Sequence, residues 1–253
     1  AKEWWPFMRD MQTLLTQITA CLPAAYQAQL AELDTTLSAP SRTRLVLLGE
    51  FSVGKSSLLN CLLGQAWLYT ALEEATALPT LIEYGQQSSL QLLDNDGTLQ
   101  TLPLQELAHV TTHAPENAAC ALLTLDQPWL QDVIVIDLPG LGSVSASHQA
   151  YTQAQLRVAD VVIYLLSARG PTQSDLATLR QVALVGKRVK VVVSHWDEVE
   201  QAVARGEKAP DLEQWAAQIA AACQLRVRLA PVSARTGLGR EELLEFIQRA
   251  STE

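Results

Sequence analysis

The chain has 253 residues, 48% of them apolar and 18% charged, with a formal net charge of −9. That length and apolar content suit one large α/β domain, alone or with a helical appendage, and exclude global disorder. The acidic balance argues against a nucleic-acid surface and weakens any electrostatic pull toward anionic lipid. Cys21, Cys61, Cys120 and Cys223 are widely spaced, with no C-x-x-C pair. They read as small buried hydrophobes in a reducing cytosol, not as a disulfide frame or zinc site. His109, His113 and His148 show no metal-ligand spacing. Apolar runs such as 161–166 are strand-length, far short of the ~18 residues of a membrane span. The charges of Lys2, Glu3, Arg9 and Asp10 around the first tryptophans argue against a secretory leader.

In chain order, Trp4, Met8, Met11, Leu15, Ile18 and Leu22 recur at spacings of 4, 3, 4, 3 and 4, one helical face. Pro23 breaks that helix, and Tyr26, Leu30, Leu33 and Leu37 mark a second. Residues 1–40 are therefore expected to form a helical hairpin, which packs on the domain that follows or docks a helix of another protein. Residues 41–253 form the second expected domain. There, apolar runs fall at 44–48, 78–84, 89–93, 119–125, 132–136, 160–166, 188–194 and 226–230. Helical stretches are expected at 55–63, 146–158, 172–185, 210–223 and 240–250. The alternation predicts an α/β fold, a mostly parallel sheet with helices on both faces. Asn95-Asp96-Gly97 predicts an antiparallel hairpin inside it.

The most informative stretch is Gly49-Glu50-Phe51-Ser52-Val53-Gly54-Lys55-Ser56, followed by Ser57 and an apolar helix that Gly64 ends. An apolar strand, Arg44 to Leu48, precedes it, which is the setting of a phosphate-binding loop. Gly49 and Gly54 let successive N–H groups and a helix N-terminus converge on one anion. In such a loop the lysine, here Lys55, reaches the β- and γ-phosphates, and the hydroxyl, here Ser56, ligates Mg²⁺. Farther on, the strand 133–136 runs into Asp137-Leu138-Pro139-Gly140. A carboxylate at a buried strand end can hold Mg²⁺ through water, and Gly140 can offer its N–H to a γ-phosphate. Ser194-His195-Trp196-Asp197 ends another strand where a guanine-reading box belongs, with Asp197 accepting from the N1 and N2 donors of the base. Ser233 and Ala234 follow the last strand as a box whose backbone N–H contacts O6. Four boxes in this order point to GTP and GDP as the ligands.

Residues 49–60, the stretch Thr76-Ala77-Leu78-Pro79-Thr80-Leu81-Ile82-Glu83-Tyr84-Gly85 and the stretch 137–143 resemble bacterial dynamin-like GTPases. The resemblance runs over about residues 40 to 250. It implies a P-loop GTPase fold and a GTPase that works by nucleotide-dependent pairing of its GTP domains into a homodimer, usually coupled to membranes. It also implies that Thr76 is the switch threonine closing on Mg²⁺ and the γ-phosphate. It further implies a cytoplasmic protein that can sit peripherally at the inner membrane. Two departures stand out. The guanine box has Ser194 and His195 where the family carries Asn or Thr and then Lys. The long stalk and lipid-binding tip of dynamin relatives are not found before Glu253, so the chain is expected to be a fragment or a GTPase that acts through a partner.

Leu141 stands where many small GTPases carry a water-orienting Gln, which predicts slow basal hydrolysis. In the potassium-dependent and dynamin-like GTPases that this chain resembles, the residue at the position of Ser52 coordinates a monovalent cation. The resemblance thus implies K⁺ as a source of transition-state charge stabilisation. Two other readings share the boxes: a non-hydrolysing GTP-binding scaffold, and an Era-like assembly GTPase, which the acidic charge disfavours.

Overall fold

In a computed structural model, residues 42–70, 78–138, 156 and 158–252 are described. The hairpin expected over 1–40, most of the helix expected over 146–158, and the site residues Thr76 and Gly140 lie outside them. Nine strands among the described residues form one sheet. They are β1 (Thr43–Gly49), β2 (Thr80–Tyr84), β3 (Ser89–Asp94), β4 (Leu99–Leu102), β5 (Ala118–Leu125), β6 (Val133–Asp137), β7 (Val161–Leu166), β8 (Arg188–Val193) and β9 (Leu229–Pro231). Their order is β4-β3-β5-β2-β6-β1-β7-β8-β9. From β6 to β9 all neighbours are parallel. On the other side β2 pairs with β6 antiparallel and with β5 parallel, while β3 runs antiparallel to both β4 and β5. The Asn95-Asp96-Gly97 turn joins β3 to β4 as its sequence requires, with Gly97 N–H donating to Asp94 O at 3.0 Å.

The described helices are α1 (Lys55–Leu63), α2 (Leu107–Thr112), α3 (Gln173–Leu184), α4 (Trp196–Ala204), α5 (Leu212–Cys223) and α6 (Arg240–Thr252). Strand alternation shows why helices must cover both faces. Leu45 and Leu47 of β1 enter one apolar cluster with Leu58, Leu62, Leu243 and Ile247. Val46 and Leu48 enter the other with Leu176, Leu179 and Ile219. A strand apolar at successive positions needs a hydrophobic layer on each side.

The helix ends follow the chemistry of their sequences. Thr172 caps α3, its hydroxyl accepting from Asp175 N–H at 3.1 Å while Asp175 Oδ2 accepts from Thr172 N–H at 2.9 Å. Asp211 caps α5 in the same way, accepting from Gln214 N–H. Arg240 caps the other end of α1, donating to Cys61 O at 2.7 Å and Leu62 O at 3.2 Å. α4 lies outside the expected helices, although Trp196, Val199 and Val203 carry a helical spacing. β9 pairs over only three residues with β8, shorter than the run at 226–230 suggested and displaced toward Pro231.

Tyr164 on β7 is fully buried and donates to Asp175 Oδ1 at 2.7 Å, and Asp175 is itself 1% exposed. Burial, reinforced by the Asp175 charge, pushes the phenol well above its usual range, so it stays a donor. Tyr164→Phe leaves a buried carboxylate one donor short and should cost about 1–3 kcal/mol. Urea unfolding measures it: an unchanged midpoint would mean that the bond adds nothing net.

Candidate functional site

The parallel strands bring every described box to one edge. Gly49 ends β1, Asp137 ends β6, Ser194 follows β8 and Val232-Ser233 follows β9. Ligands of open α/β sheets bind outside the carboxyl ends of such strands. Within the loop, Gly49 has φ +152, and a Cβ there would stand 2.6 Å from Leu165 O and 2.8 Å from a methyl of Val53. No side chain fits between the loop and β7. Gly54 has φ +88 and leads directly into α1, whose first residues are Lys55, Ser56 and Ser57. Ser52 also adopts a left-handed backbone, φ 59, and its side chain and that of Phe51 are exposed.

Lys55 Nζ donates to Gly49 O at 3.1 Å and to Glu50 O at 2.9 Å, curling the loop around its own ammonium. Burial pushes Lys55 below its usual range, partly offset by the charge of Asp137. Glu50 looks outward, its Oε1 accepting from the Thr172 hydroxyl at 2.6 Å, which ties the loop to the cap of α3. Asp137 is 2% exposed, and burial raises its pKa to about 6 despite the opposing effect of Lys55. Its Oδ1 has no hydrogen-bond partner. A buried carboxylate oxygen without a donor, within electrostatic reach of Lys55 at the start of α1, suits a hydrated hard cation. The donor set fits Mg²⁺, with Ser56 and Asp137 as the described residues that would hold it.

The base end is built from two turns. Asp197, 8% exposed, accepts from the Ser233 hydroxyl on Oδ1 at 2.6 Å. Arg235 reaches its other oxygen, Oδ2, also at 2.6 Å. The Ser233 bond first, and the Arg235 charge after it, hold the carboxyl below its ordinary range and keep it ionised. His195 is left-handed, φ 56, which turns its ring toward the loop. A Cβ on Gly54 would lie 3.0 Å from His195 Nε2, so the ring rests on that glycine. His195 Nδ1 lies 3.5 Å from Glu198 Oε1. The imidazole thus links the base box to the phosphate loop, a contact the sequence does not reveal. Ser194 donates its hydroxyl proton to Leu166 O at 3.1 Å, so the group orders the turn. A cleft of about 600 Å³ runs past Gly54, Ser57, Ser194, His195, Asp197 and Ala234.

The structure therefore gathers 49–57, Asp137, Ser194, His195, Asp197, Ser233 and Ala234, while Thr76 and Gly140 lie outside the described residues. Three contributors were missed in the sequence. Arg235 directly follows the Ser233-Ala234 box. Asn60 locks α1 to Leu68 through two 2.7 Å bonds, Nδ2 to the carbonyl and Oδ1 from the N–H. Thr80, four residues after Thr76, is fully buried opposite Asp137.

Residues 45–196 match a family described as the Dynamin family. The chain is 29% identical over 122 residues to Dynamin-like protein 2 of Campylobacter jejuni subsp. jejuni, spanning 47% of this chain and 20% of that protein. A solved structure of an oligomerised bacterial dynamin pair, described as a mechanism for long-range sensing and tethering of membranes, superposes with a TM-score of 0.67 at 20% identity. It covers 96% of this chain and 40% of that one. Era of Aquifex aeolicus, solved with GDP and AlF4−, superposes with a TM-score of 0.50 at 19% identity, over 82% of this chain and 56% of that one. The chain spans between 15% and 40% of the length of the curated relatives it matches. Among the described residues no helix is long and apolar enough to cross a membrane.

The Arg235 guanidinium offers Asp197 the same kind of N–H donor as the N1–N2 edge of guanine, so the two compete for Oδ2. Arg235→Ala should tighten guanine nucleotide about two- to fivefold, the scale of an exposed ion pair. Fluorescence titration with labelled GDP reads this, and weaker binding would mean that Arg235 supports the base.

Proposed function

This chain belongs to the Dynamin family and carries its G domain, and we propose that it binds and hydrolyses GTP with Mg²⁺ and is activated when two G domains pair. The observation that carries the reading is the convergence of the loop, Asp137 and the Asp197–Ser233 pair on one sheet edge. In this reading the loop amides from Glu50 to Ser57 and the Lys55 ammonium hold the β- and γ-phosphates. Asp197 accepts from guanine, Ala234 N–H meets O6, and His195 closes the site between base and loop. Ser56, Asp137 through water and the switch threonine Thr76 hold Mg²⁺, which neutralises charge on the β- and γ-oxygens. Gly140 offers its N–H to the γ-phosphate.

Ser52 is the residue assigned to a monovalent cation, K⁺ in the first instance. Its left-handed backbone and exposed side chain, which makes no hydrogen bond to a described residue, support that role. Residues 41–253 form the G domain and 1–40 a helical segment that meets a partner helix or a membrane-bound protein. The protein works in the cytoplasm and peripherally at a membrane, without nucleic acid; the net charge of −9 gives an Era-like role on RNA no support.

GTP turnover per molecule should rise with protein concentration and with K⁺ over Cs⁺ at matched ionic strength. Lys55→Ala should weaken GTP binding by about 100-fold or more, since the phosphates lose a buried cation. Turnover that ignores protein concentration would remove the pairing mechanism, and equal rates in K⁺ and Cs⁺ would remove the cation. A Lys55→Ala protein that binds GTP like the parent would overturn the loop assignment itself.

A further inference from the structure

Among the described residues, four buried side-chain polar atoms have no hydrogen-bond partner: Thr80 Oγ1, Asp137 Oδ1 and the indole nitrogens of Trp67 and Trp129. Two of the four stand on one cross-strand pair, because Thr80 of β2 is the register partner of Asp137 of β6. Residues directly opposite in an antiparallel pair project to the same face with Cβ atoms about 4.5–5.5 Å apart. Thr80 is 0% exposed and Asp137 2%. A hydroxyl and a carboxylate oxygen that share a face, both out of water and both unsatisfied, are costly unless something polar lies between them. The pair is also the last on the site edge of the β2–β6 ladder.

We propose that Thr80 is a positioning residue of the cation site: its hydroxyl and the Asp137 carboxylate together hold the water shell of the Mg²⁺ bound beside the phosphates. The proposal rests on the GTPase reading above and adds to it a residue that the nucleotide boxes do not contain. Mg²⁺ dehydrates reluctantly and is fixed largely through its waters. A metal-bound water has two protons to give, and one acceptor leaves its orientation free. Asp137 would accept a hydrogen bond from one proton of such a water and Thr80 Oγ1 from the other, which would fix the water in direction as well as in place. A β-branched threonine is stiff at χ1, so its hydroxyl is held in few directions.

The test is Thr80→Val, which removes the hydroxyl with little change of shape. Binding of a non-hydrolysable GTP analogue is measured against Mg²⁺ concentration and in EDTA, beside the thermal midpoint of the nucleotide-free protein. The Mg²⁺ needed for half-maximal tightening should rise about tenfold, the usual lower bound for losing an outer partner of a metal. Binding in EDTA should stay within about twofold, and the thermal midpoint should hold or rise, because an unpaired buried hydroxyl has gone. Thr80→Ser, which keeps the hydroxyl, should keep the parent's Mg²⁺ requirement. An unchanged Mg²⁺ titration in Thr80→Val would overturn the proposal. So would equal losses with and without Mg²⁺, which mark a structural role, or a loss in Thr80→Ser as large as in Thr80→Val. A parent protein whose affinity ignores Mg²⁺ would instead overturn the reading of the site, and the role of Thr80 with it.

Discussion

Two opposite charges sit at the carboxyl edge of the sheet, Asp137 buried and Lys55 half-buried, and are kept apart. The Lys55 ammonium is spent on the carbonyls of Gly49 and Glu50, and Asp137 leaves one oxygen without a donor. Burial pushes each toward its neutral form, and each restrains that drift in the other. A fold chosen for stability alone would close the pair or replace it with apolar groups, since a buried charge without a full complement of partners is expensive. Here the glycine loop and the end of β6 hold the two groups within electrostatic reach of one another without closing them into a pair. The apolar layers on both faces of β1 and β7 supply the burial that makes this tolerable. Two of the four unsatisfied buried side-chain polar atoms among the described residues stand at this edge, which is the pattern of a working site.

The base end achieves order by different means. Asp197 is almost as buried as Asp137, yet it is held ionised by two direct donors. One carboxylate waits for partners and the other has them, and the difference matches their tasks. A metal-facing carboxylate gains by being satisfied only when the ion arrives. In the proposed role a base-reading carboxylate must be charged and oriented beforehand, with guanine displacing Arg235 from Oδ2. The Ser233 bond does the orienting, and the Arg235 bond keeps Oδ2 from standing unsolvated at the cleft wall. His195 supplies the link that a lysine stem would otherwise make. With Gly54 bare of a side chain, a flat ring can lie on the loop where a linear chain would run along it.

Much of this was legible in the residues. The runs 45–48, 133–136, 161–166 and 191–193 are apolar at consecutive positions, as a strand buried on both faces requires. The strand–glycine loop–helix order set β1, Gly49, Gly54 and α1, and the hairpin followed from Asn95-Asp96-Gly97. What stayed hidden is pairing across the sheet. Nothing in the sequence 80–84 says that it runs against β6 on one side and along β5 on the other, since periodicity reports faces and not neighbours. Thr80 was on the page as one letter of a switch-like stretch, and Arg235 as the residue after a box; both became meaningful only through who stands opposite. α4 was missed for a simpler reason. A stretch read for its base contacts, Ser194 to Asp197, is also the start of a helix whose first turn carries Asp197 and Glu198.

The direction of β2 has a consequence for control. Because β2 is antiparallel to β6, its first residue, Thr80, comes to the edge where β6 ends at Asp137. The segment entering β2, which contains Thr76, and the segment leaving β6, which contains Gly140, therefore join the sheet at adjacent points on the site side. Had β2 run parallel to β6, its first residue would stand at the opposite edge, about 15 Å away for a strand of this length. A threonine four residues upstream could not then meet the same ion as Asp137. Antiparallel pairing at one place beside an otherwise parallel half-sheet thus brings the start of β2 and the end of β6 to the same edge, as the proposed cation site requires. The hydroxyl–carboxylate pair at the ladder's end is the fixed point from which both depart.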